Sequence, residues 1–172
     1  MKKYFLESER IGFGVWESKD FELAKELWGN KQVTEYISSK GYFTKEEIEQ
    51  RLIKEIENQE KYKVQYWPVF MKDTNEFMGC CGLRPYNLKK NIYEIGIHIL
   101  PQYWGIGIGS EALNTVIEYA FKELKVENLF AGHNPKNNAS RKLITKAGFQ
   151  FIGEEQAWCI RHIYIKFSNK EN

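Results

Sequence analysis

The spacing of apolar positions changes several times along the chain, and each change marks an element. Glu9 to Val15 reads as a first strand. After Ser18, the residues Phe21, Ala24, Leu27 and Trp28 recur at helical spacing. A second helix opens on the capping box Thr44-Lys45-Glu46-Glu47, and Ile48, Leu52 and Ile56 then share one face. The period next shortens to that of strands. Gln65 to Met71 and Phe77 to Leu83 form a predicted hairpin around Asp73-Thr74-Asn75, and Ile92 to Leu100 is a further strand that Pro101 ends. Leu113, Val116, Ile117, Ala120, Phe121 and Leu124 make a continuous helical stripe. Leu129 to His133 is a short strand, and Asn137 to Ala147 a helix with Gly148 at its C-terminal cap. Phe149 to Glu154 and Trp158 to Phe167 are the last two strands.

That order predicts an α/β (α+β) fold, a mixed and mostly antiparallel central sheet of about seven strands flanked by about four helices. A strictly alternating doubly wound fold does not fit it. No repeat, low-complexity tract or Pro/Gly/Ser-rich linker divides the 172 residues, so 1–172 reads as a single domain able to bury a sizeable core.

Composition narrows the class. The net charge of +2 comes without any block of like charge, since Lys89-Lys90 is only a pair. Nothing therefore suggests a nucleic-acid partner. The N-terminus Met1 to Glu7 meets charge after three apolar residues, which excludes a secretory apolar core, and no run approaches a membrane span. The three cysteines are odd in number, and adjacent Cys80 and Cys81 point to opposite faces of a strand. Reduced, packed thiols and a cytoplasmic location are expected. His98, His133 and His162 lack ligand spacing, so no metal is expected.

The chemistry concentrates where the strand carrying Ile95, Ile97 and Ile99 runs into Gly105, Gly107 and Gly109, just before the strongest helix. Glycine admits positive φ and close approach of a ligand to the backbone. Free N–H groups at a helix start bind phosphate. A P-loop would need Lys after the last glycine, whereas Ser110-Glu111 follows. Gly107-x-Gly109-x-x-Ala112 satisfies a relaxed dinucleotide pattern, which would suit an oxidoreductase. That pattern normally follows the first strand of a βαβ unit, not the third strand of a meander.

Coenzyme A is the third reading, and it is carried by a resemblance. Gln102-Tyr103-Trp104-Gly105-Ile106-Gly107-Ile108-Gly109 resembles the acyl-CoA pyrophosphate loop of the GNAT superfamily of N-acetyltransferases, with Trp104 where Gln or Arg is usual. The wording is that of the ribosomal-protein N-acetyltransferases of the Rim type, which include alanine N-acetyltransferases. Glu7 to Ile11, Phe77 to Leu83, Glu94-Ile95-Gly96 and Asn137 to Phe149 resemble four further segments of that branch, in the same order.

The resemblance implies an acetyltransferase that passes an acetyl group from acetyl-CoA directly to a primary amine, in a ternary complex. Trp104, Gly105, Ile106, Gly107, Ile108, Gly109 and Ser110 would hold the pyrophosphate. Ile97, His98 and Ile99 would line the pantetheine arm, and a strand N–H there would steady the oxyanion. Asn137 and Ser140 would reach the arm or its sulfur. Glu94 is the candidate base and Ser140 the candidate acid, because Ile144 stands where some relatives carry a tyrosine. A base matters because an alkylamine of pKa about 10.4 is less than about a thousandth neutral at pH 7. The acceptor is a protein N-terminus, a polyamine, an amino sugar or an antibiotic amine, and relatives pair as homodimers through sheet edges or terminal strands. A non-catalytic acyl-CoA-binding module stays open as an alternative. Glu111 reads as a helix-dipole carboxylate. Trp28, Tyr36, Tyr42 and Phe43 lie in the region that borders the acceptor.

Overall fold

The apolar stripes meet on the two faces of one sheet. The computed structural model describes residues 3–156 and 160–168. Its elements are β1 (Leu6–Glu7), β2 (Ile11–Phe13), α1 (Phe21–Trp28), α2 (Lys31–Thr34), α3 (Lys45–Tyr62), β3 (Tyr66–Met71), β4 (Phe77–Asn87), β5 (Ile92–Ile99), α4 (Ile108–Lys122), β6 (Asn128–His133), α5 (Asn138–Lys146), β7 (Gln150–Gln156) and β8 (Ile160–Phe167). The strands lie in the order β1-β2-β3-β4-β5-β6-β8-β7, and of these neighbours only β5 and β6 run parallel. The expected mixed, mostly antiparallel sheet is therefore present.

Two elements exceed the expectation, and length explains both. β1 has two residues and α2 four, too few to display a hydrophobic period. β1 exists because Leu6 and Glu7 pair with Phe13 and Gly12, and α2 because the Asn30 side chain accepts from Gln32 N. α4 also starts earlier than expected, at Ile108, so Gly109 sits in its first turn. Trp158, the expected start of the last strand, and Cys159 lie outside the described residues.

Alternation along the strands sends one set of side chains to each face. Trp67, Val69, Cys81, Leu83 and Ile95 join the cluster under α4, while Tyr66, Phe70 and Cys80 join that under α1 and α3. The adjacent cysteines thus enter different clusters, as their alternation requires. Burial pushes the Cys80 thiol up to about 12, and both cysteines are free. Among the described residues no helix is long and apolar enough to cross a membrane.

One break in the sheet positions everything that follows. β5 and β6 pair only from Ile92↔Asn128 to Glu94↔Phe130. Beyond Glu94, β5 stays with β4 as far as Ile99, whereas β6 stays with β8 as far as His133. The two strands part, and among the described residues no strand covers the freed side of Ile95–Ile99.

Candidate active site

A cleft of about 1760 Å³ occupies the parting and runs from the glycine turn to α3. Its floor at the turn is backbone. Pro101–Tyr103 forms a short 3-10 turn, after which Gly105 and Gly107 adopt φ of 77° and 83°. A side chain at either would be strained in that left-handed region. The Glu111 N–H donates to the Gly107 carbonyl at 3.1 Å as α4 begins. The N–H groups of Ile108, Gly109 and Ser110 precede that bond, at the positive end of the helix dipole, where an anion is favoured. A Cβ on Gly109 would lie 3.6 Å from Leu143 and 3.8 Å from Ile97, so this residue faces the gap between β5 and α5.

Trp104, Gly105, Gly107, Ile108, Gly109 and Ser110 line the cleft. Ile106 does not; it is exposed, and its carbonyl accepts from Arg10 Nη1 at 2.9 Å. Trp104 donates its indole N–H to the Ile99 carbonyl at 2.8 Å, which ties the turn to the end of β5. A second tie runs through Glu111. Its carboxylate accepts from Arg10 Nε at 2.9 Å, from Ser8 Oγ at 2.6 Å and from Arg10 N at 3.0 Å. Partial burial pulls the Glu111 pKa upward, but these bonds outweigh it and hold the group below its ordinary value. The dipole role expected of Glu111 is therefore accompanied by a clamp of the β1–β2 turn onto the glycine turn.

Side chains of β5 alternate between the two faces. Ile97 and Ile99 pack with the α4 cluster, whereas His98 turns to the α1/α3 side. His98 Nδ1 accepts from Trp28 Nε1 at 3.1 Å, with Cys80 Sγ 3.6 Å away, so the neutral ring carries its proton on Nε2. Burial above all, with Arg51 and Arg84 nearby, pushes its pKa well below the usual 6.5. His133 is also lowered, chiefly by burial.

A stability prediction follows from those depressed values. Above pH 6.5 both folded and unfolded His98 are neutral. Below it the unfolded chain binds a proton that the native ring refuses, so stability falls as pH falls. Urea unfolding at pH 7 and pH 5 is expected to show this loss. In His98→Gln its slope is expected to shrink by up to about 1.4 kcal/mol per pH unit. An unchanged slope would show that His98 takes up its proton in the native state.

Glu94 lines the same cleft, with Oε1 accepting from Arg161 at 2.7 Å; Arg161 also holds Glu155 at 2.6 Å. Oε2 of Glu94 has no partner among the described residues. Across the gap, Asn137 caps α5 by accepting from Ser140 N at 3.1 Å, and both residues line the cleft. Ile144 is buried at its edge. Of the aromatic candidates, Tyr36 and Phe43 line the cleft, Tyr42 is exposed beside Lys40, and Trp28 belongs to the core.

Sequence reasoning missed a polar cluster on the α3 side. Glu55 is fully buried and accepts from Arg84 Nη2 at 2.6 Å and from Tyr66 N at 2.7 Å. The Arg84 guanidinium lies 3.9 Å from the centre of the Tyr66 ring, and Arg51 lies over Trp28 and Phe43. Burial raises the Tyr66 phenol, which stays protonated. One signal was available. Arg51 and Glu55 stand four residues apart beside the Ile48-Leu52-Ile56 stripe, where an exposed ion pair would not be expected.

Comparison with known proteins agrees with this geometry. The family model described as an acetyltransferase (GNAT) domain matches residues 10–150. The uncharacterized N-acetyltransferase YoaA of Bacillus subtilis (strain 168) is 32% identical over 153 residues, which span 86% of this chain and 84% of that protein. A GNAT-family acetyltransferase structure from Bacillus anthracis superposes with a TM-score of 0.80 at 25% identity, covering 96% of this chain and 99% of that one. The ribosomal-protein-S5-alanine acetyltransferase of Vibrio fischeri shares the fold, with a TM-score of 0.76 at 21% identity over 95% and 96% of the two chains.

Proposed function

The chain belongs to the GNAT family of acetyl-CoA-dependent acetyltransferases, and from that premise we propose that it acetylates a protein N-terminal or small-molecule amine inside the β5/β6 cleft, in a ternary complex. The single observation that carries this reading is the continuity of the cleft. It joins the helix start at Ile108, Gly109 and Ser110 to a second polar region on α3, with room for donor and acceptor together.

In this proposal the N–H groups of Ile108, Gly109 and Ser110, with the backbone of Trp104 to Gly107, bind the pyrophosphate. The pantetheine arm follows the freed edge at Ile97, His98 and Ile99, where backbone N–H groups can bond it and steady the oxyanion. Side-chain alternation supports a backbone role for His98, because its ring is engaged with Trp28. Glu94 removes a proton from the ammonium, directly or through a water, and Ser140 donates toward the departing thiolate. Asn137 shapes the start of α5 beside the arm.

Release of thiol from acetyl-CoA in the presence of a panel of peptides, polyamines, amino sugars and antibiotic amines tests the proposal. Calorimetric titration with acetyl-CoA, CoA and NADH accompanies it. Acetyl-CoA binding with amine-dependent thiol release is expected. Binding without turnover of any amine would instead favour a non-catalytic acyl-CoA module.

The clamp on the turn gives a second expectation. Glu111→Ala removes charge-assisted bonds each worth about 1.5–3 kcal/mol, only part of which reaches the turn. KM for acetyl-CoA is expected to rise about tenfold with kcat little changed, equivalent to about 1.4 kcal/mol. Initial rates at varied acetyl-CoA check this. A fall in kcat at constant KM would place Glu111 in the chemistry and not in cofactor positioning.

A further inference from the structure

Three arginines line the cleft, and each leaves a buried Nε without a partner. Arg84 nevertheless holds Glu55, and Arg161 holds Glu94 and Glu155, through their terminal nitrogens. Arg51 alone of the three has neither hydrogen bond nor ion pair among the described residues. Its guanidinium sits 5.0 Å from the Trp28 ring centre and 5.4 Å from that of Phe43. Such stacking orients a cation and offsets part of its lost hydration. It does not supply an anion, and arginine cannot discharge itself by losing a proton.

The neighbouring carboxylates are committed or at the rim. Glu55 is taken by Arg84, Glu47 by Lys40, and Glu35 and Glu46 are exposed. The cofactor is an unsuitable source, because its phosphate-binding N–H groups belong to α4, on the opposite face of the sheet from α3. The acceptor is the component on the right side. Glu94 pairs with Arg84 across the β4–β5 ladder and shares that face, so a molecule with its amine at Glu94 reaches Arg51 without crossing the sheet.

We propose that Arg51 is a specificity-determining residue that receives an acid group, above all a carboxylate, on the acceptor. The acceptor is then an amine that carries its own anion. A polyamine is disfavoured, since its other ammonium groups would face Arg51 and Arg84. The planar fork of arginine suits a carboxylate bidentately. This inference rests on acetyl transfer occurring in the same cleft.

Thiol release from acetyl-CoA is measured for matched acceptors: α-amino acids against their α-amides, peptides beginning with Asp or Glu against those beginning with Asn or Gln, and spermidine. At least one acid is expected to exceed its amide tenfold or more in kcat/KM, and the two kinds of pair tell a free amino acid from a peptide N-terminus. Arg51→Met is expected to erase that preference while leaving acetyl-CoA affinity, read by calorimetry, unchanged. Arg51→Gln gives the same readout should the Met variant fold poorly. Equal turnover of acids, amides and spermidine, or a preference that survives both variants, overturns the role of Arg51 and leaves acetyl transfer standing. Absence of thiol release with every amine overturns both.

Discussion

Glu55→Ala is expected to destabilise the protein by about 3–5 kcal/mol, the loss typical of breaking a buried ion pair from one side. Glu55 is 0% exposed, and both of its carboxylate oxygens are engaged, one by Arg84 and one by the Tyr66 backbone. Removing the carboxylate strands the Arg84 guanidinium beside Arg51, which has no anion of its own. Arg84 cannot relieve this by losing its proton. The Tyr66 N–H loses its acceptor as well, at the first residue of β3. Urea unfolding followed by tryptophan fluorescence measures the loss. Glu55→Gln keeps an acceptor for Tyr66 and should fall between the two, while Arg51→Met in the Glu55→Ala background should recover part of the stability. A loss below about 1 kcal/mol would mean that water reaches the cluster and screens it, as at exposed pairs.

The same cluster marks the limit of what the sequence discloses. Thr44-Lys45-Glu46-Glu47 foretold the start of α3, and both reciprocal bonds are formed, from Glu47 N to Thr44 Oγ1 and from Thr44 N to Glu47. The stripe from Leu113 to Ala120 foretold the buried face of α4. These are local patterns, and a chain displays them before it folds. The parting of β5 from β6 is not local, since it depends on which partners the two strands keep beyond Glu94. Arg161 and Arg10 carry no spacing signature either. Arg161 meets Glu94 from 67 positions away, and Arg10 meets Glu111 from 101. The glycine turn was legible as a candidate phosphate site, and its place after the third strand of an antiparallel run, β3-β4-β5, argues against the dinucleotide reading. The proposed acceptor side was not legible, because its groups come from α3, β3, β4 and β5 and meet only in the folded chain.

Glu94→Gln is expected to lower kcat by about 10²–10⁴-fold, the usual contribution of a positioned base. An alkylamine acceptor is almost wholly protonated at neutral pH, and only its neutral form attacks the thioester. In the proposed mechanism the Glu94 carboxylate takes that proton first, which frees the amine lone pair for attack on the thioester carbonyl. Arg161 fixes one oxygen of Glu94 at 2.7 Å and leaves the other open to the cleft, an arrangement that orients the carboxylate without consuming it. Glutamine keeps the shape and an oxygen for Arg161, so acetyl-CoA affinity and unfolding midpoint should stay near the parent values. The pH dependence separates chemistry from mere ion pairing. Without the base, kcat/KM should climb with roughly unit slope toward the acceptor's own pKa, near 10.4 for an alkylamine. Arg161→Met supplies the complementary test: if it only orients Glu94, it should lower kcat less than Glu94→Gln does and keep the parental profile. A Glu94→Gln enzyme with parental kcat and an unaltered pH–rate profile would reduce Glu94 to a structural partner of Arg161 and send the search for the base to an ordered water or to the acceptor itself.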